Sequence, residues 1–315
     1  MAYGLQIHGC DDLPGLIAAG LTEPGERPAP AFRMTWDDED AIAAAWPTSG
    51  AARVAQKTWT DGTEFTIDQH PDAGYLIAET GFGRYLLDRH GRSGMAAPPD
   101  GVTEAVRSRF VLNQVLPFAA VLQGIEVFHA SAVEWGGRAA AFSAGSGVGK
   151  SSLAVRSLLL GARFVTEDVL GVTIVDGAPV VHPGPALVSL RIPESDRLDA
   201  SERERLGTPV PSGEEDRVAF SVESAGRTLP AAVVYFVDRR PGTEALAFRE
   251  DPDPRLLLAS TFNLVLLDAE RLGRQLDLCA QLALKAALVR IEIPPSATAA
   301  DVALAARGDF DHRTA

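Results

Sequence analysis

Ala144-Gly145-Ser146-Gly147-Val148-Gly149-Lys150-Ser151 is a glycine-rich run ending in Gly-Lys-Ser, and its reading decides the fold. Arg138 to Ser143 ahead of it reads as a buried strand. Ser152 to Leu160 behind it reads as a helix closed by Gly161 as a C-cap. Strand, glycine loop and helix in that order form the context in which such a run binds phosphate. Glycines at 145, 147 and 149 let the backbone take positive φ and turn N–H groups into a concavity suited to phosphate oxygens. Lys150 then reaches the β- and γ-phosphates. The Ser151 hydroxyl is placed to ligate Mg²⁺, and the helix opening near Ser152 points its positive end at the anion. The predicted nucleotide-binding set is therefore Ala144, Gly145, Ser146, Gly147, Val148, Gly149, Lys150, Ser151 and Ser152. Ala144 stands where the commonest form of the pattern has glycine, and its methyl leaves the later glycines intact. The plainer alternative is an ordinary Gly-Ser turn before a helix.

Working outward, 315 residues are long for one core, so two lobes are expected. A hydrophobic content of 46% is that of a globular chain, and a formal net charge of −13 with no basic stripe argues against a nucleic-acid partner. No membrane span is expected: the most apolar stretches, Ala231 to Val237 and Leu278 to Val289, are short or interrupted by Lys285. Asp11 and Asp12 fall where a secretory signal needs an apolar core, so the expected location is cytoplasmic. Cys10 and Cys279, far apart in sequence, give neither a disulfide framework nor metal-ligand spacing and read as reduced, packed thiols.

Residues 1–100 read as a β-rich N-terminal lobe, with strand-like runs at Thr63 to Asp68, Gly74 to Glu79 and Arg84 to Asp88 in an antiparallel meander. A turn-rich linker at Ala96 to Gly101 separates it from residues 101–315. There, Thr103 to Gln123 reads as a buried helix kinked by Pro117. Glu126 to Trp135 and Arg138 to Ser143 read as a hairpin about Gly136-Gly137. Ala162 to Thr166 is a buried strand, and Val169 to Val175 with Pro179 to His182 form another hairpin about Asp176-Gly177. Pro193 to Leu229 turns polar and reads either as a solvated helix and loop or as a mobile lid or substrate-docking segment. Ala231 to Asp238 is a strand, Asp253 to Leu267 and Ala269 to Ala287 are helices, and Val289 to Ile293 is a final strand before a frayed tail.

Phosphoryl transfer needs a carboxylate near the metal and a group that accepts a proton or orients the acceptor hydroxyl. Glu167 and Asp168 end the apolar run Phe164-Val165-Thr166, and in a parallel sheet the carboxyl ends of strands face the crevice that holds the nucleotide. One carboxylate of the pair holds Mg²⁺ and the other takes the proton; the alternative is an acidic turn between strands. His129, in the strand before the one that leads into the glycine loop, is either a hydrogen-bonded core histidine or a further catalytic group. His182, Arg191 and Arg271 are weaker candidates for phosphate or substrate contact, an exposed arginine being most often a solvated charge.

The ordered set His129-Ala130-Ser131-Ala132-Val133, Arg138-Ala139-Ala140-Ala141-Phe142, Ala144 to Ser152 and Gly161-Ala162-Arg163-Phe164-Val165-Thr166-Glu167-Asp168 resembles the catalytic domain of the HPr serine kinase family and its relatives. The resemblance runs from Phe128 to about Pro193. It implies an α/β fold, a P-loop domain related to HPr kinase and phosphoenolpyruvate carboxykinase, here with a smaller β-rich N-terminal lobe. It also implies ATP- and Mg²⁺-dependent phosphorylation of a serine or threonine hydroxyl on a peptide or protein. By position it implies that Glu167 takes the place of the catalytic base, Asp168 that of its metal-side neighbour acting with Ser151, and His129 that of the active-site histidine. The family has Asp where Glu167 stands, and glutamate keeps the charge on an arm one methylene longer. No close match to the family's second signature segment is present, so neither reverse phosphorolysis nor HPr as substrate is implied. Homo-oligomers occur in the family. A nucleotide-binding regulatory module without transfer and a small-molecule hydroxyl kinase remain alternatives on the residues alone, as does GTP in place of ATP.

Overall fold

The computed structural model describes residues 1–10, 12–16, 29–145, 147–239, 242–262 and 265–315; Ser146 of the glycine-rich run lies outside the described residues. The chain is mixed α/β with several sheets. The N-terminal sheet is built from β1 (Gln6–His8), β2 (Ala31–Trp36), β3 (Ala52–Thr58), β4 (Glu64–His70), β5 (Gly74–Glu79), β6 (Gly83–Leu87) and β7 (Ser93–Ala97), with helix α1 (Glu39–Ala45) between β2 and β3. Strands β3 to β7 form the expected antiparallel meander, extended at both ends beyond the sequence reading. The other two strands are not local: β2 pairs β7 in parallel and β1 pairs β2 in parallel.

Next come α2 (Glu104–Phe110) and α3 (Leu116–Leu122), joined without a break by a π-turn over Val111–Val115. Pro117 has no N–H to give and its ring crowds the carbonyl four residues back. The expected kink takes the form of a widened turn, in which the Leu116 N–H bonds the Val111 carbonyl. This helical stretch is the second wall of the N-terminal core. Phe110 stacks on Phe82 and Tyr85 at 5.1 and 4.8 Å, and Phe118 meets Tyr75 edge-on at 5.1 Å. Each such ring contributes roughly 2 kcal/mol by burial. The same core takes in Ile125, Val127 and Val169, so apolar packing crosses from residues 1–100 into residues 101–315.

The large sheet follows. Its strands are β8 (Glu126–Phe128), β9 (Ala130–Trp135), β10 (Arg138–Ser143), β11 (Arg163–Thr166), β12 (Leu170–Val175) and β13 (Ala178–His182), with helix α4 (Lys150–Leu159) after β10. Beyond β14 (Leu187–Arg191), α5 (Ile192–Ser195), α6 (Ala200–Leu206), β15 (Thr208–Val210) and β16 (Arg217–Ser221), the chain returns to this sheet as β17 (Leu229–Arg239) and β18 (Ala247–Glu250). Helices α7 (Arg255–Ala259) and α8 (Ala269–Lys285), strand β19 (Ala287–Ile293) and helix α9 (Ala299–Thr314) complete it. Strand β17 is the spine: its start pairs β13, and its remainder lies parallel between β10 and β19. Strand β9 is antiparallel to both β10 and β11, so the sheet is mixed and not parallel.

Three expectations are corrected. Pro193 to Leu229, read as a solvated helix and loop, does hold the helix α6, but the loop is structured: β15 and β16 join β14 in a three-stranded sheet whose Val188, Leu190 and Phe220 pack on Val155 of α4 and on Leu198 and Leu206. The helix read over Asp253 to Leu267 is only the short α7, because Thr261 leaves it to bridge Phe128; residues 263 and 264 lie outside the described set. The tail is not frayed. Helix α9 carries a Thr298–Asp301 capping box and lays Phe310 edge-on to the buried Trp135 at 5.2 Å. Cys10 and Cys279 are buried, in different core clusters. Among the described residues, no helix is long and apolar enough to cross a membrane.

Candidate functional site

Strand β10 is hydrogen-bonded on both sides and ends at Ser143, so the glycine-rich loop springs from a fixed edge. Gly147 and Gly149 adopt φ of 78° and 118°, and a Cβ at either would meet nothing within 4 Å. Glycine is needed there for conformation, not for space. Gly145 does not take a positive φ, against the sequence reading. Helix α4 begins at Lys150, two residues earlier than read, and no side chain caps it. Its first-turn N–H groups and the positive end of its dipole are thus left to whatever occupies the space before the loop. Lys150 is buried, and its Nζ curls back to donate to the Ala144 carbonyl at 2.9 Å. Burial pushes the ammonium pKa down, and Asp168 and Glu167 push it up.

Glu167 and Asp168 follow β11. Because β9 is antiparallel to β10 on one side and to β11 on the other, those two strands run the same way and end at the same edge. The acidic pair thereby reaches the glycine loop, as the sequence reading required, across an intervening antiparallel strand. The Ser151 hydroxyl donates to Glu167 Oε1, and the Ser189 N–H donates to Oε2 at 3.1 Å. Burial drives the Glu167 carboxyl pKa up to about 7; the Ser151 hydrogen bond opposes this, and neighbouring Asp168 adds to it.

Asp168 sits at φ 64° with its N–H 3.4 Å from Ser131 Oγ, and its Oδ1 lies 3.4 Å from His129 Nε2. His129 occupies the point where the chain leaves β8, paired to β12, and enters β9, paired to β10; its own N–H donates to the Ser260 carbonyl at 2.6 Å. Burial lowers the imidazole pKa, Asp168 raises it and Lys150 lowers it, with a net fall that keeps the ring neutral near pH 7. The sequence reading joined Ser151 to Asp168. The observed contacts join Ser151 to Glu167 and His129 to Asp168.

Among the described residues no group of three or more His, Cys, Asp or Glu is assembled to cage a metal. Mg²⁺ at a nucleotide site takes only one or two protein oxygens, the rest coming from phosphate and water. A hydroxyl on a carboxylate, with a second carboxylate adjacent, is a donor set that fits it: Ser151 and Glu167, with Asp168 beside them.

Residues 147–152, Glu167, Asp168, His129 and Ser189 line one cleft of about 980 Å³, whereas Ala144 and Gly145, read as part of the nucleotide-binding set, are not on its walls. Its walls include Arg109, Arg156, Arg191, Arg197, Arg217 and Arg239, a cationic lining in an acidic chain. Arg191, a weak candidate from sequence, is in the cleft. His182 and Arg271 are not. The first is an interior group bonded to Thr173, its pKa lowered to about 4 by burial, and the second forms a buried pair with Glu126 at 2.9 Å. Ser152 reaches Glu194 at 3.4 Å. Sequence reasoning missed Ser189 and Arg217, whose guanidinium donates to the Ser189 carbonyl at 3.2 Å and so braces the strand that holds Glu167. It also missed Tyr3, which lines the same cleft from the N-terminal lobe.

No family model matches this chain, and no curated protein matches it. Among solved structures, the Hpr(Ser) kinase/phosphatase from Coxiella burnetii aligns at a TM-score of 0.34 and 8% identity, covering 60% of this chain and 99% of that chain. The likeness is loose. At that score it bears on neither fold nor activity, and the functional reading rests on the residues in the cleft.

Proposed function

We propose that this chain is a Mg-ATP-dependent kinase that transfers phosphate to a serine or threonine hydroxyl of a peptide or protein. One observation carries the reading: Lys150 and Ser151 at the uncapped start of α4 share a cleft edge with Glu167, Asp168 and His129. In this reading the loop amides and Lys150 hold the β- and γ-phosphates. Ser151 and Glu167 form the metal side of the site. Bound Mg²⁺ would neutralise charge on the phosphate oxygens. The acceptor hydroxyl enters on the Asp168–His129 side, where carboxylate and neutral imidazole are both bases, and one of them takes its proton. The acceptor oxygen forms a bond to the γ-phosphorus as the bond to the β–γ bridging oxygen breaks, and ADP leaves. The ordered resemblance to HPr serine kinases supports phosphoryl transfer to a hydroxyl, although by position it implies Glu167 as the base and Asp168 on the metal side, and the contacts of Ser151 with Glu167 and of His129 with Asp168 favour the exchanged roles; the acidity of the chain and its lack of a basic stripe support a peptide or protein acceptor over nucleic acid.

The test is transfer of label from γ-labelled ATP to a library of serine- and threonine-containing peptides and, in parallel, to free serine. Product with peptides and none with Lys150→Met is the expected result. Tight ATP binding with no transferred label to any hydroxyl would leave a nucleotide-binding module and remove the kinase. Label on free serine alone would make the acceptor a small molecule.

A further inference from the structure

Three non-glycine residues among those described have positive φ: Tyr3, Asp168 and Asp176. Asp176 is accounted for by its hairpin turn with Gly177. The other two meet in the cleft. Tyr3 and Gly4, at φ 54° and 82°, are the central residues of a tight turn closed by reciprocal bonds between Ala2 and Leu5 at 3.2 and 2.9 Å. That turn type favours Asn, Asp or Gly at its first central position, and a large aromatic there is strained. Strain of this kind persists where the surroundings fix it, and the surroundings here do so. The Tyr3 N–H donates to the Pro183 carbonyl at 2.8 Å. Gly184 leaves room for its ring: a Cβ on Gly184 would stand 3.1 Å from Tyr3 Cε1 and 2.1 Å from Thr166 Oγ1. Tyr3 is 1% exposed, yet it lines the cleft, and its hydroxyl makes no hydrogen bond among the described residues.

From this we infer that Tyr3 is a positioning residue of the proposed transfer site: its ring forms the floor beneath the Thr166–Asp168 turn and its free hydroxyl serves as a neutral donor to the bound reactants. The inference rests on the kinase reading. It also gives the N-terminal lobe a role in the chemistry, since a residue from before β1 stands in the same cleft as Lys150, Glu167 and Asp168. Burial disfavours its ionisation first, and the Asp168 and Glu167 carboxylates add to this, so the phenol stays protonated and able to donate. A neutral donor stabilises charge that develops on a phosphoryl oxygen without competing with the metal for the carboxylates.

The experiment uses the full chain with tyrosine ring carbons labelled, the Tyr3 resonance being assigned by its loss in Tyr3→Phe. Tyr3→Phe keeps the ring and the packing, so its melting temperature and its affinity for Mg-ATP should match the parent. Its kcat should fall at least about tenfold with little change in KM for ATP, as for a contact made chiefly in the transition state. The Tyr3 resonance should move on saturation with Mg²⁺ and a non-hydrolysable ATP analogue. Tyr3→Asn relieves the backbone strain but should not restore kcat. A parental kcat in Tyr3→Phe, or a resonance that stays in place while calorimetry shows the analogue bound, overturns the inference. A parent that binds the analogue but transfers nothing removes the kinase reading instead, and the resonance still reports on where Tyr3 stands.

Discussion

Replacing Glu167 with glutamine should stabilise the metal-free protein at alkaline pH while removing its activity. The carboxyl pKa rises from 4.5 to about 7 in the fold, because burial disfavours the charged form more than the Ser151 and Ser189 hydrogen bonds favour it. At about 1.36 kcal/mol per pH unit, that rise of about 2.5 is worth about 3 kcal/mol of preference for the protonated acid. The sign follows from linkage. Between the unfolded pKa and 7 the native state holds a proton that the unfolded chain has lost, so stability is fully present at low pH, falls as pH rises through that window and is flat above it. Glutamine is neutral throughout. Near pH 4 the parent and Glu167→Gln should melt within a degree or two of each other. At pH 8 in EDTA the variant should melt higher, by about 5 °C for an unfolding entropy of roughly 2 cal/mol/K per residue. Glutamine keeps only one of the two acceptor positions, so the gain is an upper figure. Scanning calorimetry of both proteins from pH 4 to 8.5 reads the difference directly. A difference that does not grow between pH 5 and 8 would refute the placement of this carboxyl in a desolvated site. Added Mg²⁺ should stabilise the parent at pH 8 and leave the variant unmoved.

Three further outcomes follow from the same contacts. Lys150→Met should abolish transfer and weaken ATP binding, with the circular dichroism spectrum retained, since among the described residues Lys150 bonds only the Ala144 carbonyl. Arg271→Met should cost about 3–5 kcal/mol by chemical denaturation, because it strands the buried Glu126 carboxylate, whereas the double change with Glu126→Leu should recover most of it. Gly184→Ala should weaken both stability and transfer, since its Cβ would drive Thr166 and Tyr3 apart; unchanged kinetics in a folded Gly184→Ala protein would show that this contact relaxes at no expense.

What the sequence made legible is what was local. The strand, glycine loop and helix at 138–160 and the hairpins about Gly136-Gly137 and Asp176-Gly177 are written in consecutive residues, with positive φ at the turn positions the pattern demands. The proximity of Glu167 to the loop was also legible, but the sheet that delivers it was not, since nothing in Val127 to Val133 says that the chain changes partner at His129. Helix α9 was hidden because its apolar residues are mostly alanine and its one leucine, Leu304, faces solvent, which blurs the helical periodicity; its capping pair, Thr298 and Asp301, was there to be found. Strands β14 to β16 were missed because they are short and because β14 pairs β16 only across more than twenty residues. The partner of Arg271 lies 145 residues away, and Tyr3 meets a carbonyl at Pro183. Contacts of that span leave no local trace.

The bond from the Tyr3 N–H to the Pro183 carbonyl also fixes an order of events in synthesis. At about 5–20 residues per second, the ribosome needs roughly 10–40 s to make the chain between them. Throughout that interval the Tyr3 N–H lacks its acceptor. The sheet of residues 6–97 can pair meanwhile, and Ala2 and Leu5 can begin to pack on the core of residues before 130, but the final seating of Tyr3 waits for the 183–184 segment. Residues 2–5 thus reach their final seat only long after they are made, and a nascent chain stalled before Pro183 should lack the completed cleft and be prone to aggregation.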